Sequence, residues 1–220
     1  MLQTSKVFIS NLTGKLDGVR AISTNTLTNE FCQQMHRVKD DNIICTICYS
    51  WYFLQGFRKK VATAIQRNND LLSKKTLSGS KIPTISDRMF RFSAHGELIN
   101  LTHLDNLVKI AEKNSDCIFS LWTKRKGFII KYFGEGKRTK PDNLILIYSN
   151  PRIDTILSSV PNKWFDKTFN NVSPDNHVSL QNCTGQKCRE CMVCYTHNNI
   201  STIVEATKPR IKRGTTHNAK

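Results

Sequence analysis

Apolar and polar residues alternate along the chain in two patterns, one typical of strands and one typical of helices. Short apolar runs predict four strands, at residues 21–26, 88–93, 117–123 and 143–149. Apolar residues three or four apart predict a helix that begins after Cys48, one at 100–114, and short ones at 126–133 and 152–158. Such alternation favours a parallel sheet covered by helices.

The length of the chain limits how such a sheet can close. A complete eightfold (β/α) barrel needs about 250 residues in its usual form, and this chain has 220. We therefore expect an α/β fold built as a partial (β/α) barrel with mainly parallel strands. The expected organisation is a barrel with an N-terminal cysteine loop over residues 1–175, a cysteine-rich C-terminal segment over 176–205 and a flexible basic tail over 206–220.

The spacing of apolar side chains identifies residues expected to face the core. Phe53, Phe57, Val61 and Ile65 recur every four residues, which places them on one face of the first helix. In the helix at 100–114 the inward positions are Leu104, Leu107, Val108 and Ala111. The strand at 143–149 has a nearly unbroken apolar centre, which is typical of a strand buried on both faces.

The carboxyl ends of parallel strands meet at one edge of a sheet, where such folds place their chemistry. Three segments follow predicted strands: the cysteine-bearing segment after 21–26, the peptide 93–98, and the basic peptide 123–127. In the last of these, Lys124, Arg125 and Lys126 would suit a phosphate group or form a solvated turn.

The composition is typical of a soluble globular protein, with 39% apolar and 23% charged residues. No run approaches the roughly 18 apolar residues of a membrane span, and the N-terminal residues lack the apolar core of a signal peptide. We therefore expect a cytoplasmic protein that does not enter a membrane.

The charge balance is strongly positive, with 33 Lys and Arg against 17 Asp and Glu and a formal net charge of +16. The cations concentrate at residues 56–81, 124–140 and 206–220. Such patches favour nucleic acid or a phosphate-bearing substrate as a partner. Each patch is equally compatible with a solvated face. A coding bias toward Asn, Lys and Ile also increases the number of lysines without any function.

Eight cysteines in a chain expected in a reducing compartment indicate metal binding rather than disulfides. Four of them lie together, in the order Cys183-x4-Cys188-x2-Cys191-x2-Cys194. Four thiolates at this spacing suit either a [4Fe–4S] cluster, which the successive x2 gaps favour, or a structural zinc ion. Cys117 stands alone in an apolar run and is expected in the core.

The N-terminal set has three members, Cys32-x12-Cys45-x2-Cys48. Three protein ligands leave one coordination position open, which a catalytic metal or cluster requires and a structural site avoids. The competing interpretation is a closed zinc site in which His36, from the intervening loop, is the fourth ligand. The sequence therefore predicts a metal centre here and leaves iron–sulfur and zinc as alternatives.

Several short motifs resemble the phage "gene product 88" domain family. Residues 45–49 resemble its C-x-x-C-Y element, 91–97 its R-x-S-x-x-G-[DE] segment, 119–124 its F-x-x-x-T-K strand end and 188–194 its C-x-x-C-x-x-C. The motifs occur in the same order across roughly residues 20–196. The resemblance implies a protein of a phage, a prophage or a mobile element.

The resemblance extends more distantly to radical S-adenosylmethionine (SAM) enzymes. Those enzymes hold a [4Fe–4S] cluster on three cysteines after the first strand of a partial barrel, and its open iron binds SAM. The likeness implies that Cys32, Cys45 and Cys48 hold such a cluster. It also implies that Gly96 and Glu97, which follow the second strand, contact the amino group of SAM.

Two residues near the end of the second predicted strand have alternative roles that involve no cofactor. Arg91 points either inward, toward an anion or Glu97, or outward to solvent. Glu97 either pairs with an ammonium group or is a surface carboxylate ahead of a helix. The cofactors expected are one or two [4Fe–4S] clusters and SAM, with zinc as the alternative.

Two functions are compatible with these patterns. The first is a phage-type iron–sulfur protein of radical-SAM-like architecture that acts on a nucleotide or nucleic acid. The second is a non-enzymatic, zinc-stabilised protein that binds nucleic acid. The sequence has no Ser-His-Asp order, P-loop or glycine-rich dinucleotide fingerprint, so hydrolase and kinase functions have little support.

Overall fold

A computed structural model describes residues 6–56, 58–176 and 179–207. Within these residues one sheet contains seven strands, which lie side by side in chain order. They are β1 (Ser10–Asn11), β2 (Arg20–Ile22), β3 (Met89–Phe92), β4 (Ile118–Thr123), β5 (Leu144–Ile153), β6 (Lys167–Val172) and β7 (Thr202–Ala206). Strands β2 to β7 are parallel neighbours, and β1 pairs antiparallel with β2.

Helices occupy most of the connections between the strands. They are α1 (Glu30–Arg37), α2 (Tyr49–Gln55), α3 (Lys59–Lys74), α4 (Leu101–Lys113), α5 (Lys126–Ile129), which continues as a π-helical turn (Ile130–Glu135), and α6 (Cys188–Cys191). The sheet is open, with β1 and β7 at its edges. The predicted α/β fold, a partial barrel with mainly parallel strands, is therefore confirmed.

Helices α3, α4 and α5 pack on one face of the sheet, where they build the main core. Successive side chains of a strand point to opposite faces, so Phe92, Phe119 and Leu146 share the face that α3 and α4 cover. The predicted inward positions of α4 are all buried in this core: Leu104, Leu107, Val108 and Ala111. Cys117 is also buried there, as predicted.

The cysteine-rich segment covers the opposite face of the sheet, which we call the inner face. Ile145, Ile147 and Phe169 pack there against Cys183 and Cys194. Beyond this segment the chain returns to the sheet as β7, beside β6. Strand β5 is thus buried on both faces, which is the physical reason for its nearly unbroken apolar centre.

The predicted first helix is two helices in the structure. Gly56 ends α2 with φ −95° and ψ −113°, which is not a helical conformation, and α3 begins at Lys59. Ile65 is buried as predicted, but Phe53 belongs to the other helix and is 36% exposed. Phe57 lies outside the described residues.

The helix predicted at 152–158 is wrong, because β5 continues to Ile153. The Ile153 N–H donates to the carbonyl of Asn42 (2.7 Å), and Arg152 forms an antiparallel bridge with Ile43. Pairing with a distant loop has overridden the local helical pattern. Asp154 then turns the chain with φ +58°.

Several other boundaries differ from the sequence prediction. The first predicted strand begins one residue earlier, at Arg20, and ends at Ile22, while β1, β6, β7 and α1 have no predicted counterpart. Of the basic tail expected at 206–220, residues 208–220 lie outside the described residues. No helix in the part of the chain that the structure describes is both long and apolar enough to cross a membrane.

Candidate functional site

Cys32, Cys45 and Cys48, which we call the first cysteine group, come from the connection that follows β2. Cys32 lies in the first turn of α1, where the Asn29 side chain caps the helix by accepting a hydrogen bond from the Cys32 N–H (3.1 Å). Cys45 lies in a 3-10 turn and Cys48 immediately precedes α2. The bridge from Ile43 to β5 holds this loop at the carboxyl edge of the sheet.

The thiols of the first cysteine group lie close enough to interact electrostatically. Burial raises the pKa of the Cys32 thiol well above its ordinary value, and the nearby charges of Glu97 and Cys48 raise it further. Burial also raises the pKa of the Cys45 thiol, against the opposing effect of the Lys124 ammonium group. Cys32 and Cys45 therefore hold their protons more tightly than free thiols do, and these protons would have to leave before either thiol could ligate a metal.

Lys124 follows β4 and is the cation of this site. Its Nζ donates a hydrogen bond to Ser149 Oγ on β5 (2.9 Å). Burial alone would lower the pKa of the Lys124 ammonium group, but its electrostatic attraction to Glu97 and to the thiolate forms of Cys45, Cys48 and Cys32 raises this pKa above its ordinary value. A positive charge is thus held among the three thiols.

Glu97 is a buried carboxylate, only 4% exposed, rather than the surface residue that was one of its alternatives. Its Oε1 accepts hydrogen bonds from the Leu98 N–H (2.8 Å) and the Thr123 hydroxyl (2.6 Å). Its Oε2 accepts one from the Lys124 N–H (2.7 Å). A carboxylate offers about four acceptor positions, so Oε2 keeps a position for a further donor.

Gly96 lets the end of β3 approach the end of β2 closely. It has φ +72°, and a Cβ atom there would lie 2.2 Å from Thr24 Oγ1 and 2.5 Å from the Thr24 carbonyl oxygen. The Thr24 hydroxyl donates to the Glu97 carbonyl (3.1 Å). Glycine at position 96 therefore sets the path of the backbone that carries Glu97 into the site.

The basic peptide after β4 does not form a cluster of three cations. Arg125 stacks over the rings of Phe31 (4.9 Å) and Phe128 (4.0 Å) and donates to the Leu98 carbonyl (3.2 Å). Lys126 is exposed. Of the three, only Lys124 lies among the thiols, so the three cations do not converge, and phosphate binding by this peptide stays a prediction.

His36 holds the Cys45 turn in place. Its Nδ1 donates to the Cys45 carbonyl (3.0 Å), and its ring stacks on Trp51 with the centroids 4.1 Å apart. Within the described ranges, no three His, Cys, Asp or Glu side chains converge into a formed metal site. The donor set itself fits a thiophilic centre, because three half-buried thiols suit iron–sulfur or zinc better than a hard cation.

The second cysteine group is Cys183, Cys188, Cys191 and Cys194, on the inner face of the sheet. Met192, with φ +57°, turns the chain after α6 and leads into the 3-10 turn that contains Cys194. Burial raises the pKa of the Cys194 thiol to about 12. Its three companions in the group also act on it electrostatically, so the four thiols are neighbours.

Hydrogen-bond donors surround the second cysteine group. Lys15 Nζ donates to Cys183 Sγ (3.5 Å) and pairs with Glu205 on β7. Gln186 Nε2 donates to Cys191 Sγ (3.6 Å). Lys15 is 168 residues from Cys183 along the chain, and no local sequence signal could have associated the two.

Arg91 points inward from β3 toward the second cysteine group, not toward Glu97 or solvent. Its guanidinium lies over the Trp122 ring at 3.9 Å, and its charge acts on Cys188 and Cys194. Arg91 Nε and the Tyr195 hydroxyl are buried without a well-formed hydrogen bond among the described residues, although the Arg91 side chain lies near enough to the Tyr195 hydroxyl to lower the pKa of that group. Buried donors without acceptors are costly. A thiolate of this group would be an acceptor of the kind that Arg91 Nε lacks.

We compared the chain with protein-family models, with curated proteins and with solved structures, and none of the three comparisons found a match. The fold and the two cysteine groups are therefore the features from which the function is inferred.

Proposed function

We propose that this protein is a phage-type iron–sulfur protein of radical-SAM-like architecture, related to the gene product 88 family and active in the cytoplasm of the host cell. The observation that carries the proposal is the first cysteine group. Three thiols, a cation and a buried carboxylate share the carboxyl edge of a sheet of parallel strands. Sheets of this type place their chemistry at that edge.

In this proposal Cys32, Cys45 and Cys48 hold a [4Fe–4S] cluster with one open iron. When bound, such a cluster supplies an electron and a coordination position for the amino and carboxylate groups of SAM. Glu97 has an acceptor position left for the ammonium group. Lys124 has the charge to pair with the carboxylate, and Ser149 orients it.

The second cysteine group would hold an auxiliary [4Fe–4S] cluster, or a zinc ion, with all four positions taken by protein. Arg91 supports a bound centre here, because a metal-bound sulfur would accept a hydrogen bond from its buried Nε. Lys15 and Gln186 already direct donors at two of the thiols. Bonds of this kind to sulfur stabilise the reduced, more negative form of a cluster.

Metal analysis of cysteine variants tests the proposal. Anaerobically purified Cys45→Ser should lose the iron of the first group and keep that of the second, and Cys191→Ser should do the opposite. Cys117→Ala is the matched control, because Cys117 is buried in the core away from both groups. Its iron content should equal that of the unmodified protein.

Zinc in both groups and no iron in any preparation would contradict the proposal. It would favour the second candidate, a zinc-stabilised protein that binds nucleic acid, for which the net charge of +16 is the supporting observation. Affinity for nucleic acid should then fall steeply with salt concentration, because neutralised phosphates release counterions.

A further inference from the structure

Helix α2 exposes aromatic rings beside the first cysteine group. Tyr49, Tyr52 and Phe53 are 64%, 52% and 36% exposed, whereas Ser50 and Leu54 of the same helix are buried. The three aromatic residues stand at i, i+3 and i+4, so they share one face of the helix. Isolated exposed rings are common, but three together form a surface suited to a ligand.

Two of these rings are fixed in place by neighbours. The Tyr49 hydroxyl donates to the Ala94 carbonyl. The Phe53 ring stacks on His95 with the centroids 5.5 Å apart and the planes at 14°. His95 is held in turn by a hydrogen bond between its Nδ1 and Ser50 Oγ (2.8 Å). A surface ordered in advance costs less entropy when it binds a planar group.

His95 also keeps this surface uncharged. Burial lowers the pKa of His95 to about 4, and the charges of Arg91 and Arg58 act in the same direction. The ring is therefore neutral near pH 7 and presents an aromatic face rather than a cation. Tyr49 lies against the same imidazole, with centroids 5.8 Å apart.

Cations border the aromatic surface on the side of α3. The Arg58 guanidinium lies 5.4 Å from the centre of the Phe53 ring, and Lys59 and Lys60 are exposed in the next two positions. Aromatic faces combined with flanking cations are how proteins hold single-stranded nucleic acid, since bases stack on the rings while phosphates meet the cations. The bases of a duplex are already stacked and cannot use such a surface.

We propose that Tyr49, Phe53 and His95 form a stacking platform for an unpaired base, with Arg58, Lys59 and Lys60 holding the adjacent phosphates. The ligand class is single-stranded nucleic acid. The inference rests on the proposed function in one respect: Tyr49 follows Cys48 directly, so a base on the platform lies beside the first cysteine group and becomes the substrate of that site.

Fluorescence anisotropy with labelled oligonucleotides tests the platform. The probes are single-stranded DNA and RNA of about 12 nucleotides, a length suited to such sites, and the matching duplex. Phe53→Leu, which breaks no side-chain hydrogen bond, and Tyr49→Leu should each weaken single-strand binding about 5-fold or more, the effect of losing one stacked base. Leu180→Ala is the matched control, because Leu180 is 63% exposed on the cysteine-rich segment.

The salt dependence separates stacking from charge. Phe53→Leu should leave the slope of log affinity against log salt unchanged. Lys59→Gln should reduce that slope by about 0.7, the value for one phosphate on a single strand. Lys163→Gln, an exposed lysine near the amino end of β6, should leave both affinity and slope unchanged.

Equal affinity of Phe53→Leu and the unmodified protein for the single strand would overturn the platform. Duplex binding as tight as single-strand binding would also overturn it, as would no binding at low salt. Iron is measured in the same preparations to separate the two proposals. Platform-dependent binding without iron refutes the proposed function and supports the platform, whereas iron without platform dependence refutes the platform alone.

Discussion

Gly96→Ala tests the backbone path that places Glu97 in the site. The new Cβ atom would meet the Thr24 carbonyl oxygen at 2.5 Å, and the backbone would keep a φ of +72°. The left-handed conformation costs a residue with a Cβ about 1–2 kcal/mol, and overpacking adds about 1–3 kcal/mol. The clash involves the backbone of Thr24, whose N–H is bonded to the His95 carbonyl (3.2 Å), so rotation of a side chain cannot relieve it.

The expected loss is therefore about 2–5 kcal/mol in the free energy of unfolding. At about 2–4 °C per kcal/mol for a chain of this size, the Tm should fall by at least about 4 °C. Urea unfolding and calorimetry both measure the loss. Gly14→Ala is the matched control, because Gly14 has φ +70° but nothing within 4 Å of the added Cβ. Gly14→Ala should lower the free energy of unfolding only by the cost of the left-handed conformation, about 1–2 kcal/mol. Equal losses in the two variants would refute the close approach of Gly96 to Thr24.

Two further predictions concern buried polar groups. Burial lowers the pKa of His103 to about 4, so the unfolded state takes up a proton first as pH falls. Protonation of His103 should therefore lower the free energy of unfolding by about 3 kcal/mol between pH 6.5 and pH 4. In urea unfolding at these two pH values, the His103→Gln variant should lose about 3 kcal/mol less than the unmodified protein. The same pH dependence in both proteins would contradict this prediction. Glu97→Gln places an amide donor among three hydrogen-bond donors and should lower the free energy of unfolding by about 1.5–3 kcal/mol. An unchanged midpoint of urea unfolding would show that the carboxylate does not accept these three hydrogen bonds.

The parts of the fold that the sequence predicts best are those where local pattern and tertiary environment agree. In α4 the apolar spacing coincides with burial, and Asn100 caps the helix at its start by accepting from the His103 N–H (2.9 Å). In β5 the apolar centre coincides with burial on both faces. The rule that chemistry follows strand ends also places Glu97 and Lys124 near the first cysteine group.

Polar strands could not be predicted from the sequence, because their side chains are satisfied only by distant partners. Lys167 of β6 is 1% exposed, and its Nζ donates to Asn198 Oδ1 (2.9 Å) and to the Ile200 carbonyl (2.8 Å). Asn170 is fully buried and donates to the Ile203 carbonyl on β7 (3.3 Å). Without these contacts, the residues of β6 have the composition of a loop.

The inner face explains why the candidate site was only partly predictable. Spacing identifies the second cysteine group, but only the fold brings Lys15, from near the N-terminus, and Arg91, from the middle of the sequence, to it. The exposed rings of α2 were also missed, because Phe53 fits a helix face that would be buried if the helix were continuous. Gly56 ends the helix and leaves that ring at the surface.

Our central proposal is that the first cysteine group holds a [4Fe–4S] cluster and that the second holds another such cluster or a zinc ion. Its most direct test is the content of iron, acid-labile sulfide and zinc in protein purified without oxygen. Two [4Fe–4S] clusters predict iron and sulfide in equal amounts, at about eight of each per chain, or about four with zinc in the second group. Stoichiometric zinc with neither iron nor sulfide would contradict the claim.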